Sequence, residues 1–181
     1  MTKKIVVVLV GIGMVIALIG CGADEESSKA GTGRTQASNV DAVTTASIVN
    51  TADDFVEATG PEGTWIIATL NDLTIDQEVV VAGEFTNNDE LYRKIALYAQ
   101  DEDRTVTDRY TVTAPRLVVQ SPNTRIQSGT FRGDVYVEAE GFHLVDATVD
   151  GDVSFATEEL RETFEMNESS KVTGTITVGE E

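Results

Sequence analysis

The chain has 181 residues and a formal net charge of −18, an acidity that argues against nucleic acid as a partner and against direct adhesion to anionic lipid. A single cysteine, Cys21, excludes an internal disulfide, and 41% hydrophobic residues are enough for one sizeable core. The acidic, lysine-poor balance fits a saline or alkaline exterior as well as it fits an ordinary solvated surface.

The first 20 residues read as an export signal. Lys3 and Lys4 precede an apolar run from Ile5 to Ile19, and Gly20-Cys21 closes it. As a helix that run would span about 22 Å, less than the roughly 30 Å of a bilayer core. It contains Gly11 and Gly13 and is followed by no basic cluster, so it suits a cleaved signal better than a permanent span. Leu18-Ile19-Gly20-Cys21 resembles the lipobox of bacterial lipoproteins. The resemblance implies cleavage between Gly20 and Cys21 and a diacylglyceryl group on the Cys21 thiol. Such an anchor would hold the protein on the extracytoplasmic face of the cell membrane. Loss of Lys3 and Lys4 with the signal takes the formal charge from −18 to −20.

Residues 21–50 are rich in Ser, Thr, Ala, Gly, Asp and Glu and hold no aromatic residue, which predicts a flexible tether. The remaining 51–181 should form one domain. Thr51 can cap a short helix, with Asp53 and Asp54 at its positive end, Phe55 on its buried stripe and Gly60 closing it. Beyond Gly63 the chain turns β-like, with short Val, Ile, Thr, Phe and Tyr runs between Gly, Asn and Asp. Trp65 is expected to pack near the start of this region.

One pattern repeats. Ile126–Val137, with Gly133-Asp134-Val135 inside it, returns 18 residues later as Leu144–Phe155, with Gly151-Asp152-Val153. A looser copy, Lys171–Val178, follows 23 residues after the second, and Val79–Phe85 is a weaker echo. Short strands at this period fit stacked coils, each burying its inward row against the next. The inward candidates are Ile126, Phe131, Val135, Val137, Leu144, Val149, Val153, Phe155, Val172, Ile176 and Val178. The expected fold class is therefore all-β: a short right-handed parallel β-helix, or β-solenoid, with an N-terminal capping helix and a hairpin insertion. A β-sandwich is the alternative. The helix followed by Gly63–Ala68 and Leu73–Asp76 resembles the cap and first coil of the pectate-lyase-like β-helices. Gly129–Val178 resembles the bactofilin-type polymer-forming solenoids. Both resemblances imply fold rather than function.

Leu91–Ala99 and Arg104–Val112 flank the acidic Gln100-Asp101-Glu102-Asp103 and read as two long strands of a hairpin. Tyr92, Arg93, Tyr98, Arg109 and Tyr110 make this the richest aromatic and basic cluster, and hence the candidate ligand surface. Catalytic signals are weak. Asp101, Glu102, Asp103 and Asp108 lack the spacing of an EF-hand loop. Asp134, Asp150 and Asp152 could bind a cation, cap turns or echo a glycosidase pair. His143, the only histidine, should point outward, with no recognisable nucleophile motif beside it. No metal or cofactor is expected. The leading expectation is a non-enzymatic binding or structural module of the cell envelope, with an envelope polysaccharide or protein as partner. A polysaccharide lyase or hydrolase and a self-assembling solenoid are the alternatives; only Gly179-Glu180-Glu181 follow the last repeat, with no obvious cap.

Overall fold

The structure is a computed structural model that describes residues 46–179. The signal segment, Cys21 and the tether up to residue 45 lie outside the described residues. Elements follow in chain order: β1 (Ala46–Val49), α1 (Ala52–Thr59), β2 (Ile66–Thr69), β3 (Leu73–Thr74), β4 (Val79–Val81), β5 (Thr86–Asn87), β6 (Glu90–Leu91) and β7 (Arg93–Ala96). Then come β8 (Tyr98–Gln100), β9 (Val106–Arg109), β10 (Thr111–Val119), β11 (Thr124–Gln127), β12 (Thr130–Val137), β13 (His143–Val145), β14 (Thr148–Asp150) and β15 (Val153–Phe155). The chain continues through α2 (Glu158–Glu162), β16 (Glu165–Met166), β17 (Lys171–Val172) and β18 (Ile176–Val178). No helix among the described residues is long and apolar enough to cross a membrane.

The fold is mostly β, and its two main sheets are parallel. One has the order β1-β2-β7-β11-β13-β16. The other stacks β3 and β4 on β10, then β12, then β14 and β15, then β17 and β18. A hairpin meander would pair its neighbours antiparallel. The sequence repeat is the pairing register: Ile126 lies beside Leu144, Phe131 beside Val149 and Val135 beside Val153, each 18 residues on. Val149 pairs with Val172 and Val153 with Ile176, each 23 residues on.

Such a register stacks like on like. Ile67, Ile95, Ile126 and Leu144 make one buried row, and Val81, Val119, Val137 and Phe155 make another. The inward candidates from Ile126 through Phe155 are all buried. At the last level the rows emerge: Val172 is only partly buried, while Ile176 is 36% and Val178 41% exposed. They are edge positions, with no further strand beside them among the described residues.

The hairpin differs from its expected extent. The antiparallel hairpin pairs only Tyr98–Gln100 with Val106–Arg109, closed by a turn in which Asp101 Oδ1 accepts the N–H groups of Asp103 (3.0 Å) and Thr105 (2.9 Å), while Leu91 belongs to a separate antiparallel pair, Thr86–Asn87 with Glu90–Leu91. Arg93–Ala96 belongs to the first parallel sheet and Thr111–Val119 to the second. The expected tether boundary at residue 50 also moves, because Ala46–Val49 already pairs with Ile66–Thr69. A four-residue β-prone stretch is lost in the average of a long polar segment. The short α2, capped by Thr157 with Glu158 and Glu159 in its first turn, was a readable helix start that the strand pattern overshadowed.

The repeated Gly corner is a matter of contact distance. A Cβ on Gly151 would overlap Gly133 O, one on Gly174 would overlap Gly151 O and the Asp152 carboxylate, and one on Gly133 would overlap Ala114 O. The backbones of successive levels touch there, leaving room for no side chain. Gly151→Ala should lower stability by about 2 kcal/mol, as overpacked sites do, read as a reduced denaturation midpoint with an unchanged m-value.

The helix α1 covers the start of the core with Phe55, Ala58 and Val56. Thr51 caps it as expected, its Oγ1 accepting the Asp54 N–H at 3.2 Å. Gly60 follows the helix in an extended conformation (φ −67°), not in the left-handed one expected of a closing glycine. The helix has no basic residue in its last turn. Arg93, fully buried, supplies the missing donors from 35 residues away. Its Nη2 donates to Ala58 O (2.6 Å) and Gly60 O (3.2 Å), its Nη1 to Ala82 O (3.3 Å), and its guanidinium carbon lies 3.8 Å from the centre of the Phe85 ring. A cation on the open carbonyls of a helix C-terminus is favourable both as hydrogen bonding and as charge against dipole. Burial pushes the guanidinium down to about 10, which leaves it charged at neutral pH. Arg93→Met should cost about 3 kcal/mol by orphaning these carbonyls, and Arg93→Lys should restore only part of that, since an ammonium lacks the planar fork. Equal midpoints for Arg93→Met and the parent chain in a urea titration would show that the helix end does not need this cation.

Candidate functional site

The structure disperses the cluster that the sequence suggested. Arg93 is interior and belongs to no surface; it follows Tyr92 on a strand whose alternate residues turn inward. Tyr98 and Arg109 face each other across the hairpin. Tyr98 Oη accepts a hydrogen bond from Lys94 Nζ at 2.9 Å. Arg109 is bound to Asp146, Nη2 to Oδ2 at 2.6 Å and Nη1 to the carbonyl at 3.2 Å, which ties the hairpin to a later level. Tyr110 is half-buried, and its backbone bonds Leu97 and Thr130. Only Tyr92 lines a substantial cleft.

That cleft lies on the outward face of the first sheet and has a volume of about 580 Å³. Its floor follows from register. Lys94 pairs with Arg125, Arg125 with His143, and His143 with Glu165, so these side chains form one outward row beside the buried Ile95–Ile126–Leu144 row. Arg125, His143 and Glu165 line the cleft, together with Tyr92, Glu90 and Leu91. One wall is a stack of turns. Asn123, at φ +52°, donates from Nδ2 to Leu91 O at 3.0 Å, and Gly141 N–H donates to Thr163 Oγ1 at 2.9 Å. Gly141 has φ +74°, and a Cβ there would overlap the Asn123 side chain. A more open hollow continues past His143 and Glu165 to Met166 and Ile176.

The electrostatics of the row are unbalanced. The Arg125 guanidinium lies 5.2 Å from the Tyr92 ring centre, and Tyr92 packs in turn on Trp65 at 5.6 Å. Arg125 Nε is buried without a hydrogen-bond partner, and Arg125 forms no ion pair within 4 Å among the described residues. His143 Nε2 is 3.4 Å from Glu165 Oε2. Partial burial, reinforced by the Arg125 charge and opposed by Glu165, holds the imidazole below its ordinary 6.5. Burial likewise pushes the Tyr92 phenol up, against the pull of Arg125.

The acids at the repeated corner are committed to turns. Asp134 Oδ1 accepts the Asp152 N–H at 3.0 Å, and Asp152 Oδ1 accepts Thr175 N–H (2.6 Å) and Oγ1–H (3.0 Å). Asp150 binds Arg132 Nε at 3.1 Å and Thr173 Oγ1 at 3.0 Å. Its bonds to Arg132 and Thr173 hold the Asp150 carboxyl below its usual range, and the Thr175 bonds do the same for Asp152. Among the described residues no group of three His, Cys, Asp or Glu side chains is placed to hold a metal ion. No family model matches this chain, and no curated protein or solved structure matches it either.

Arg125, Glu165, Asn123 and Thr163 went unmarked in the sequence, although Arg125 lies 18 residues before His143 and so one repeat away from it. His143 reports on this row as the only imidazole of the chain. Arg125→Gln should raise its pKa and Glu165→Gln should lower it, followed by NMR titration. With the folded pKa depressed, the unfolded chain binds the proton more readily. His143 therefore weakens the folded state as pH falls below 6.5 and leaves it unaffected above. An unmoved titration in both variants would show the imidazole to be insulated from its neighbours.

Proposed function

We propose that this protein is a lipid-anchored lipoprotein of the extracytoplasmic membrane face, and that its head is a short right-handed parallel β-helix serving as a non-enzymatic binding module of the cell envelope. The observation that carries the binding reading is the outward row Arg125–His143–Glu165 on the floor of an open cleft, with charged groups that the fold itself does not pair. The coil reading is supported by parallel registers that step 18 residues in both sheets and then 22 in the first and 23 in the second. The anchor reading rests on Leu18–Cys21 and the apolar run before it. A lyase or hydrolase needs a carboxyl or base left free to move a proton. Asp134, Asp150 and Asp152 are engaged as acceptors, the last two also held below the usual carboxylate range, which favours binding over turnover at this corner.

A second reading, end-to-end stacking of heads, is favoured by the emerging rows at Met166, Ile176 and Val178. Sedimentation of the purified protein distinguishes it, since monodisperse monomers count against polymers.

Cys21→Ser should release the protein from the membrane fraction to the soluble extracytoplasmic fraction, and unchanged membrane association would overturn the anchor. The released variant should cosediment with isolated envelope polysaccharide or peptidoglycan and lose that retention on Arg125→Gln. Retention indifferent to Arg125 would move the binding surface elsewhere.

A further inference from the structure

The cleft on the first sheet holds a cation and an anion that the fold keeps apart. Arg125 and Glu165 stand on strands separated by β13, so His143 lies between them in the row. Two strand spacings place their backbones about 10 Å apart. Arg125 has no carboxylate within 4 Å among the described residues, and the nearest basic group to Glu165 is the His143 imidazole at 3.4 Å. Partial burial and the Arg125 charge disfavour protonation of that imidazole, which leaves Glu165 without a cationic partner at neutral pH.

We propose that the cleft receives a zwitterion whose charges are several bonds apart: a carboxylate accepted by Arg125 and an ammonium held by Glu165. The proposal rests on the reading of this face as a binding surface and names the chemistry of its ligand. A purely anionic ligand would satisfy Arg125 but would meet Glu165 and Glu90 on the same walls. A purely cationic one would meet Arg125. A ligand carrying both charges at the spacing of the row pairs each with its opposite, and charge-assisted bonds of this kind are the strong ones. An extended tripeptide with free termini spans about 10 Å, which matches the row. The same spacing occurs in an ω-amino acid, so peptide and non-peptide sources share the chemistry.

Trp65, the only tryptophan, packs on Tyr92 at the cleft and supplies the readout. The full chain, purified in mild detergent, is titrated by tryptophan fluorescence with triglycine, 6-aminohexanoate, N-acetyl-triglycine, triglycinamide and glycine. Triglycine should give a saturable change, with both blocked analogues and the short glycine weaker by about tenfold or more, the scale of one charge-assisted bond. Saturation by 6-aminohexanoate as well would show that the charge spacing suffices, and its failure would assign the site to peptides. Arg125→Gln should abolish the preference for a free carboxylate. Glu165→Gln should bring triglycine down to the affinity of N-acetyl-triglycine. If N-acetyl-triglycine bound as tightly as triglycine and lost binding in Arg125→Gln, the zwitterion would be overturned while the binding surface stood. A flat response to every probe would overturn the zwitterion too, and envelope retention of the Cys21→Ser variant would then decide the binding surface separately.

Discussion

Parallel, in-register pairing is the constraint from which the rest of this fold follows. Each strand lies beside the strand one period later, so a residue's neighbours along the sheet are its own counterparts in the repeat. An apolar inward row thereby becomes a continuous core without long-range design at each level: Val79, Leu117, Val135 and Val153 meet because they occupy one register position. The same constraint rules the corners. Gly133, Gly151 and Gly174 stand over one another so closely that backbone meets backbone. Their neighbours Asp134 and Asp152 turn that proximity into hydrogen bonds, each carboxylate accepting from the level that follows.

A stacked structure must also begin and end, and the two ends are handled differently. At the start, α1 lies over the first strands, and its C-terminal carbonyls would face the interior with no donors of their own. Arg93 resolves this by spending a charge inside the protein, on three carbonyls and an aromatic ring rather than on a carboxylate. Because a guanidinium is planar and weakly hydrated, it tolerates this better than an ammonium would. At the other end the rows thin out: α2 brings Leu160 and Phe164 against the core, and Phe164 stacks on Phe142 at 5.6 Å. Beyond that level Ile176 and Val178 stay in contact with solvent.

The repeat made the central levels legible in the sequence, because Gly-Asp-Val at a fixed spacing carries corner and inward row together. The earlier levels were less readable. Between Arg93 and Val112 the chain passes through β7, β8, β9 and β10, and the alternation that suggested one long hairpin belongs to two different sheets joined by a short one. Arg93 was the sharpest misplacement. Its neighbours Tyr92 and Lys94 are polar or amphipathic, and nothing local says that a helix end 35 residues earlier needs a donor. The cleft was only half legible for a related reason. Its members come from four strands and three turns, and the row becomes visible once the period is projected onto Arg125 and His143 together rather than onto the apolar residues alone.

That row also shows how an acidic chain can present a locally mixed surface. The chain carries a formal charge of −18, yet Lys94 and Arg125 occupy consecutive positions on one sheet face. Register places a neutral-leaning imidazole between Arg125 and the acid at the next level, and no ion pair joins the arginine to that acid. A simple surface ion pair would stabilise the fold by little. Keeping the two charges a strand apart forgoes even that small gain and leaves both hydrogen-bonding capacities facing the cleft. On the proposed reading of this face, that open arrangement is what lets one ligand with complementary charges engage both groups at once.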